Sequence, residues 1–330
     1  MKRIITLIAS LAALTISGAN YAYDPTGKEE FIFIEKAEPL QKFGYDKFCQ
    51  DTKSFACTKR LPYAKYVGTK GYFTSDSPQH SDSFGYNFYK VVLESDEEYF
   101  YVASKKNGKY ESFAPIMPYA QYLELKSFKP EPLVSGSSVE LTAVSQDYGI
   151  RSYSLSNGKT VKDKDLKLIR EVSRKFGGKP ELAELLLDVN IEKDEVDDKY
   201  FIQPKGNILR SEAKLYIGAS EGKVWLRFRV KYYDDDWLFV DSYKVAADDF
   251  RWQSEKQKFQ RDHSSGSVWE WLDVSAGSKE VEIATALSSA TNATIRFQGN
   301  QYYSDKKLDD DQKQSIKTII RIYKEMGGGA

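Results

Sequence analysis

The chain reads as an α+β, β-rich protein: tandem small antiparallel barrels, a helical connector, and a C-terminal antiparallel sheet with helices. Three observations predict this. Short runs of alternating apolar and polar residues recur along most of its 330 residues, and a period of two belongs to strands with one buried face. Aromatic residues make up 14% of the chain, with 23 Tyr against 3 Met, and aromatic residues favour pleated, half-buried surfaces. Helical spacing is confined to the middle and the far end.

Taken in order, Met1-Lys2-Arg3 is cationic, Ile4 to Ser17 is apolar, and small residues follow at Ala19 and Ala22. This is the pattern of a secretory signal peptide over 1–22, and the apolar run is too short for a membrane span. No later stretch approaches the ~20 apolar residues that a spanning helix needs, so the mature chain is expected without a transmembrane segment, in the periplasm or secreted. Export decides how to read Cys49 and Cys57, because two cysteines in an oxidising compartment most often pair as a disulfide. Neither CxxC spacing nor a neighbouring His supports a redox pair or a metal site.

A small β domain is expected over 23–128. Its strands are Glu30 to Ile34, Lys65 to Phe73, Tyr86 to Glu94 and Glu98 to Val102, with a turn at Ser95-Asp96-Glu97. Phe128-Lys129-Pro130-Glu131-Pro132 is a Pro-rich linker. A second small β unit spans 133–161, where Ser138 to Val144 leads to Ser152 to Val161 and the Asn157-Gly158 pair signals a hairpin. The short strands, tyrosine-rich turns and the SxVELTxVxxDxGxxSYxLSNG pattern resemble Src-homology-3-like barrels of exported bacterial envelope proteins. That resemblance covers about a third of the chain and implies a binding role, to peptides or cell-wall material. It carries no particular binding residue over to this sequence.

The helical connector spans 162–205. Leu166, Ile169, Val172 and Phe176 share one helical face that ends at Gly177-Gly178. Pro180 opens a second helix with Leu182, Leu185, Leu186 and Val189 inward. Glu192, Asp194, Glu195, Asp197 and Asp198 lack the alternating ligands, central Gly and closing Glu of a calcium loop; they read as a solvated charged turn.

The C-terminal α+β module spans 206–330. Its clearest feature is Lys223 to Val245, read as a β-hairpin. Val224, Leu226, Phe228, Val230 and Tyr232 alternate with Trp225, Arg227, Arg229 and Lys231, and Asp234-Asp235-Asp236 make the turn. Trp237 to Val240 is expected to pair back on the first strand. Val268 to Leu272 and Ala293 to Gln298 are further strands, and Val281 to Ser289 is a helix. The closing helix has Asp309 as N-cap, Gln312 three residues on, Ile316, Ile319, Ile320 and Tyr323 on one face, and Gly327 after it. The RFQGNQYYSDKKLDDDQ ending, with DDDWLFV, is similar to a C-terminal module of uncharacterised exported bacterial proteins and implies no activity.

Charge narrows the function classes. Lys+Arg and Asp+Glu both number 48, and loss of Lys2 and Arg3 with the leader leaves a net charge of about −2. Nucleic acid is therefore not an expected partner. The two histidines, His80 and His263, are expected in Ser-rich loops. His263 beside Ser264 and Asp262 has the residue types of a triad, but sequence neighbours do not make its geometry. No phosphate-binding glycine loop is present, and no metal or other cofactor is expected. The candidate ligand-binding residues are Trp225, Arg227, Arg229 and Arg296. On adjacent strands they would form a patch able to hold an anionic or peptide ligand, against the plainer reading of a solvated sheet face. The expected function is a non-enzymatic binding or interaction protein of the bacterial envelope, with an envelope protein or cell-wall ligand as partner. The alternative is a carboxylate-dependent hydrolase of cell-wall or carbohydrate substrate, recognised by two acids about 5–10 Å apart with one pKa raised.

Overall fold

The computed structural model describes residues 30–36, 38–53, 60–106, 109–111, 116–147, 150–206 and 210–329. The expected signal peptide over 1–22 and Cys57 lie outside these residues. The protein is β-rich, with antiparallel sheets and seven helices among the described residues. It divides into two compact units, the first comprising Met1–Glu131 and Glu140–Asp163, the second Pro132–Val139 and Lys164–Ala330.

In the first unit, a curled antiparallel sheet runs in the order Phe48–Cys49, Glu98–Lys106, Tyr86–Leu93, Lys70–Phe73, Glu30–Phe33, Ile116–Pro118. The two end strands do not pair with each other, so the sheet is a half-barrel. Its core is rich in aromatic rings: Phe31, Phe33, Tyr45, Phe48, Phe73, Tyr89 and Tyr101 are all buried, among aliphatic residues such as Val91, Leu93 and Ile116. Rings of this size need room, and Gly71 supplies it opposite Phe31; a Cβ there would lie 2.7 Å from the Phe31 ring. Cys49 is buried on its short strand. The second β segment forms a smaller sheet through Glu140–Asp147, Ile150–Leu155 and Thr160–Lys162. Val144 and Tyr153 pack against Ile32, Ile34 and Met117, so both N-terminal β segments share one unit.

After Pro132–Val139, the second unit contains the two expected helices, Asp163–Lys175 and Pro180–Leu186. The rest of the expected connector is not helical. Val189–Asp194 and Lys199–Pro204 form a hairpin, and the acidic run supplies its turn, where the Asp194 carboxylate accepts from the Val196 and Asp197 N–H groups. Tyr200 fastens this hairpin to the first helix: its hydroxyl donates to Glu171 at 2.5 Å and accepts from Lys175 at 2.7 Å. The hairpin is one edge of a six-stranded sheet that continues through Glu212–Ser220, Lys223–Asp234, Ser267–Ser275 and Gln260–Ser264. A four-stranded sheet runs Phe250–Gln253, Ser242–Ala247, Ala293–Gln298, Tyr303–Lys307.

Two helices sit on the apolar sides of these sheets. Ser278–Ser289 packs on Ser242–Ala247 and Ala293–Gln298, and Asp310–Glu325 packs on Glu212–Ser220 and on the other helix. The last helix starts where its sequence says. The Asp309 side chain accepts from the Gln312 N–H at 2.8 Å and Gln312 returns to the Asp309 N–H at 3.2 Å, a reciprocal cap. Its buried face is Ile316, Ile319, Ile322 and Tyr323, with Ile322 in place of the expected Ile320.

The expected hairpin at Lys223 to Val245 does not form. Lys223–Asp234 pairs with Glu212–Ser220 on one side and Ser267–Ser275 on the other. Trp237 to Val240 is not a strand. Its backbone donors are taken by Glu270, which is fully buried. The Glu270 carboxylate accepts from the N–H groups of Leu238 (2.9 Å), Phe239 (2.7 Å) and Val240 (2.8 Å), and from Arg261 Nε (2.7 Å). Arg261 also donates to the Val240 carbonyl at 3.0 Å. Three successive N–H groups converging on one anion form a nest, and the bend this requires puts Phe239 at φ +54°. For a bulky side chain that is a strained conformation. A buried carboxylate costs several kcal/mol in lost hydration; four charge-assisted hydrogen bonds offset it.

Replacing Glu270→Ala leaves three backbone N–H groups, that of Val240 buried, and Arg261 without their acceptor, and is expected to cost about 3–5 kcal/mol in urea unfolding, the scale for removing one partner of a buried charge pair. Phe239→Gly removes a left-handed penalty of about 1–2 kcal/mol against a glycine entropy cost of about 0.5–1 kcal/mol. Its expected effect is neutral to slightly stabilising in the same assay; a clear loss of stability would show that the strap carries no strain.

Candidate functional site

Among the four candidate ligand-binding residues, three share a sheet. Trp225, Arg227 and Arg229 lie on the polar side of Lys223–Asp234. Trp225 lies across Gly218, where a Cβ would fall 2.2 Å from the indole. Arg227 is occupied: its Nε donates to Asp273 Oδ1 at 2.8 Å, it reaches the Ser275 hydroxyl, and Asp273 also accepts from the Tyr216 hydroxyl at 2.9 Å. Arg229 stands over the Trp271 ring, 5.4 Å from its centroid. Lys231, next along the row, is buried beside Glu212, and burial lowers its pKa. Most of this face is therefore internally paired. Arg296 is on a strand of the other sheet, so the expected single patch does not assemble.

The four-stranded sheet separates its two sides cleanly. Tyr243, Val245, Ala247, Ala293, Ile295 and Phe297 are buried toward the helices. The opposite parity faces outward. One cross-strand row reads Gln253, Lys244, Arg296, Asp305 and the next reads Arg251, Ala246, Thr294, Lys307. Four cations thus share a face with one carboxylate. Lys244 and Arg296 stand directly opposite each other, a like-charge placement that works against sheet stability. Asp305 answers only Arg296, through a bidentate pair at 2.6 and 2.7 Å. The Tyr303 ring covers the same guanidinium, with its centroid 3.9 Å away. Small side chains at Ala246 and Thr294 leave the middle of the face low, and a groove of about 620 Å³ opens there, lined by Lys244, Arg251, Gln253, Thr294, Arg296 and Asp305. A smaller pocket of about 140 Å³, between Gln203, Glu212, Lys214 and Gln312, is lined by both charge signs.

Sequence reasoning selected Arg296 and missed Lys244 and Arg251. Their signal was present: Lys244 and Ala246 alternate with Tyr243, Val245 and Ala247, an outward parity that only the pairing with Arg296 turns into a cluster. His263 lies on the Gln260–Ser264 strand, not in a loop, with its ring edge-on to Trp237. Asp262 accepts from the His263 backbone N–H and Ser264 meets Ser265, which is not the relay of a triad. Among the described residues no helix is long and apolar enough to cross a membrane. Compared with known proteins, the chain matches no family model, no curated protein and no solved structure.

The Asp305 carboxyl is held below its ordinary value of 3.8, first by the Arg296 hydrogen bond and then by that charge. A depressed carboxyl pKa contributes stability above the unfolded value and loses it as pH falls through the folded one. The pair is therefore expected to remain formed at pH 3.8 and above, and to open only as pH falls through the lower, folded-state value. A carboxyl NMR titration checks this; an Asp305 midpoint at or above the free value would contradict the pairing.

Proposed function

We propose that this chain is an exported, non-enzymatic binding protein of the bacterial periplasm, and that its C-terminal unit holds an anionic ligand on the outward face of the four-stranded sheet. The single observation that carries this reading is the registered Lys244–Arg296 pair above an open groove, with Asp305 as the one carboxylate of the face and already engaged by Arg296. Like charges placed side by side weaken a sheet; a ligand carboxylate or phosphate between them relieves that repulsion. Thr294 and Gln253 add neutral hydrogen-bonding groups at the same face. The leader-like N-terminus and the Cys49–Cys57 spacing support export and a disulfide. The curled antiparallel sheets of the first unit are in keeping with Src-homology-3-like binding modules, which would give the protein a second contact with its partner.

The hydrolase reading needs a carboxyl kept protonated to act as general acid. In the groove, Asp305 is pushed the other way, toward the ionised form, by Arg296. That suits an anchor for an arginine.

The test uses the purified chain with poly-L-glutamate and polygalacturonate, two carboxylate polymers of different backbone. Binding that weakens with salt and falls at least tenfold in the Lys244→Gln/Arg251→Gln double variant is expected. Binding indifferent to both substitutions would overturn the reading, as would shortening of either polymer.

A further inference from the structure

The strand Phe250–Gln253 borders the groove and, among the described residues, pairs with one neighbour, Ser242–Ala247. Which way its backbone groups point follows from the register. The Ser254 N–H donates to the Tyr243 carbonyl at 2.9 Å, and hydrogen-bonded positions alternate along an antiparallel pair. The inward-pointing residues are therefore Trp252 and Phe250, opposite Val245 and Ala247. The N–H and C=O groups of Arg251 and Gln253 point to the open edge.

Those same two residues belong to the cationic face by parity and both are exposed, with one guanidinium nitrogen of Arg251 donating to the Asp248 and Phe250 carbonyls and, among the described residues, no carboxylate on it. Behind them in the rows stand Lys244 and Arg296 for Gln253, and Ala246 and Thr294 for Arg251. On the other face, Phe250 and Trp252 are only half-buried. An edge with free backbone groups accepts another strand, and this edge offers cations on one side and partly uncovered aromatic rings on the other.

We propose that the ligand is an extended peptide segment of alternating acidic and apolar residues, which adds to Phe250–Gln253 as a fifth strand. This rests on the anion-binding reading of the same face. The added strand lies about 4.8 Å from the edge and exchanges hydrogen bonds with Arg251 and Gln253. Its residues at i and i+2, about 6.6–6.8 Å apart, put carboxylates beside Arg251 and toward Lys244. Its apolar residues at i+1 and i+3 cover Trp252 and Phe250. Charge complementarity sets this occupant apart from a second copy of the edge, which would bring arginine toward arginine. A polysaccharide polyanion satisfies the cations but leaves the backbone groups unpaired.

The test measures anisotropy of a labelled eight-residue peptide alternating Glu and Val. It also uses the peptide N-methylated at each parity in turn, an Asn-for-Glu analogue, and polygalacturonate. The expected result is binding of the Glu/Val peptide that falls at least tenfold on methylation at one parity only. It should also fall at least tenfold in the Asn analogue and in the Lys244→Gln/Arg251→Gln variant. Gln253→Pro, which removes one outward N–H, should weaken the peptide and spare polygalacturonate. Equal binding of all methylated forms, or polygalacturonate binding without peptide binding, overturns the strand addition and leaves the anion-binding face standing. Indifference of every probe to the double variant overturns both. The methylated peptides need no altered protein, so they decide the matter even where a substitution unfolds the chain.

Discussion

The C-terminal unit depends on one carboxylate with no exposure to water. Glu270 sits on the apolar side of its strand, opposite Tyr232, where a hydrocarbon side chain would be usual. It takes the donors of a passing backbone, so that Trp237 to Val240 leaves the first sheet and Ser242–Ala247 can begin the second. Without it, the successive N–H groups of Leu238, Phe239 and Val240 would lose the acceptor that takes the place of a sheet partner. The strained Phe239 and the position of Arg261 follow from that demand. So does the existence of two sheets in place of one, because the corner between them is the segment that Glu270 holds.

This also explains what was and was not legible in the residues. Alternation identified Val224 to Tyr232 as a strand and separated its two faces, because parity is a local property; the strand itself runs on through Asp234, a residue expected in the turn. It did not identify its partners. Trp237 to Val240 is apolar and short, as a returning strand would be, and nothing in those four residues reports that their donors go to a side chain thirty positions on. The contrary signal lay in Val268-Trp269-Glu270-Trp271-Leu272, where alternation puts a glutamate in step with inward Val268. The closing helix was legible nearly to the residue, because its start and its end are set by contacts within one turn, Asp309 with Gln312 and Gly328 with Tyr323.

The candidate site was legible in part for a related reason. Arg227 and Arg229 look as available as Arg296 when only their strand is considered. Register separates them: Arg227 has Asp273 and Tyr216 within reach from the two flanking strands, whereas Lys244 has Arg296 and Gln253. Whether a surface cation is spent or spare is a property of its cross-strand neighbours, and those come from distant sequence. Arg296 itself is the intermediate case, committed to Asp305 and Tyr303 yet bordering the groove.

Gly299 closes the Ala293–Gln298 strand against the Glu270-held strap, and a Cβ on it would lie 2.0 Å from the Leu238 carbonyl oxygen. Here two stretches of main chain touch with no side chain between them to slide or change rotamer. The strand that carries Arg296 is thus seated on the strap held by Glu270 through backbone alone, and any side chain at Gly299 would have to push the two apart.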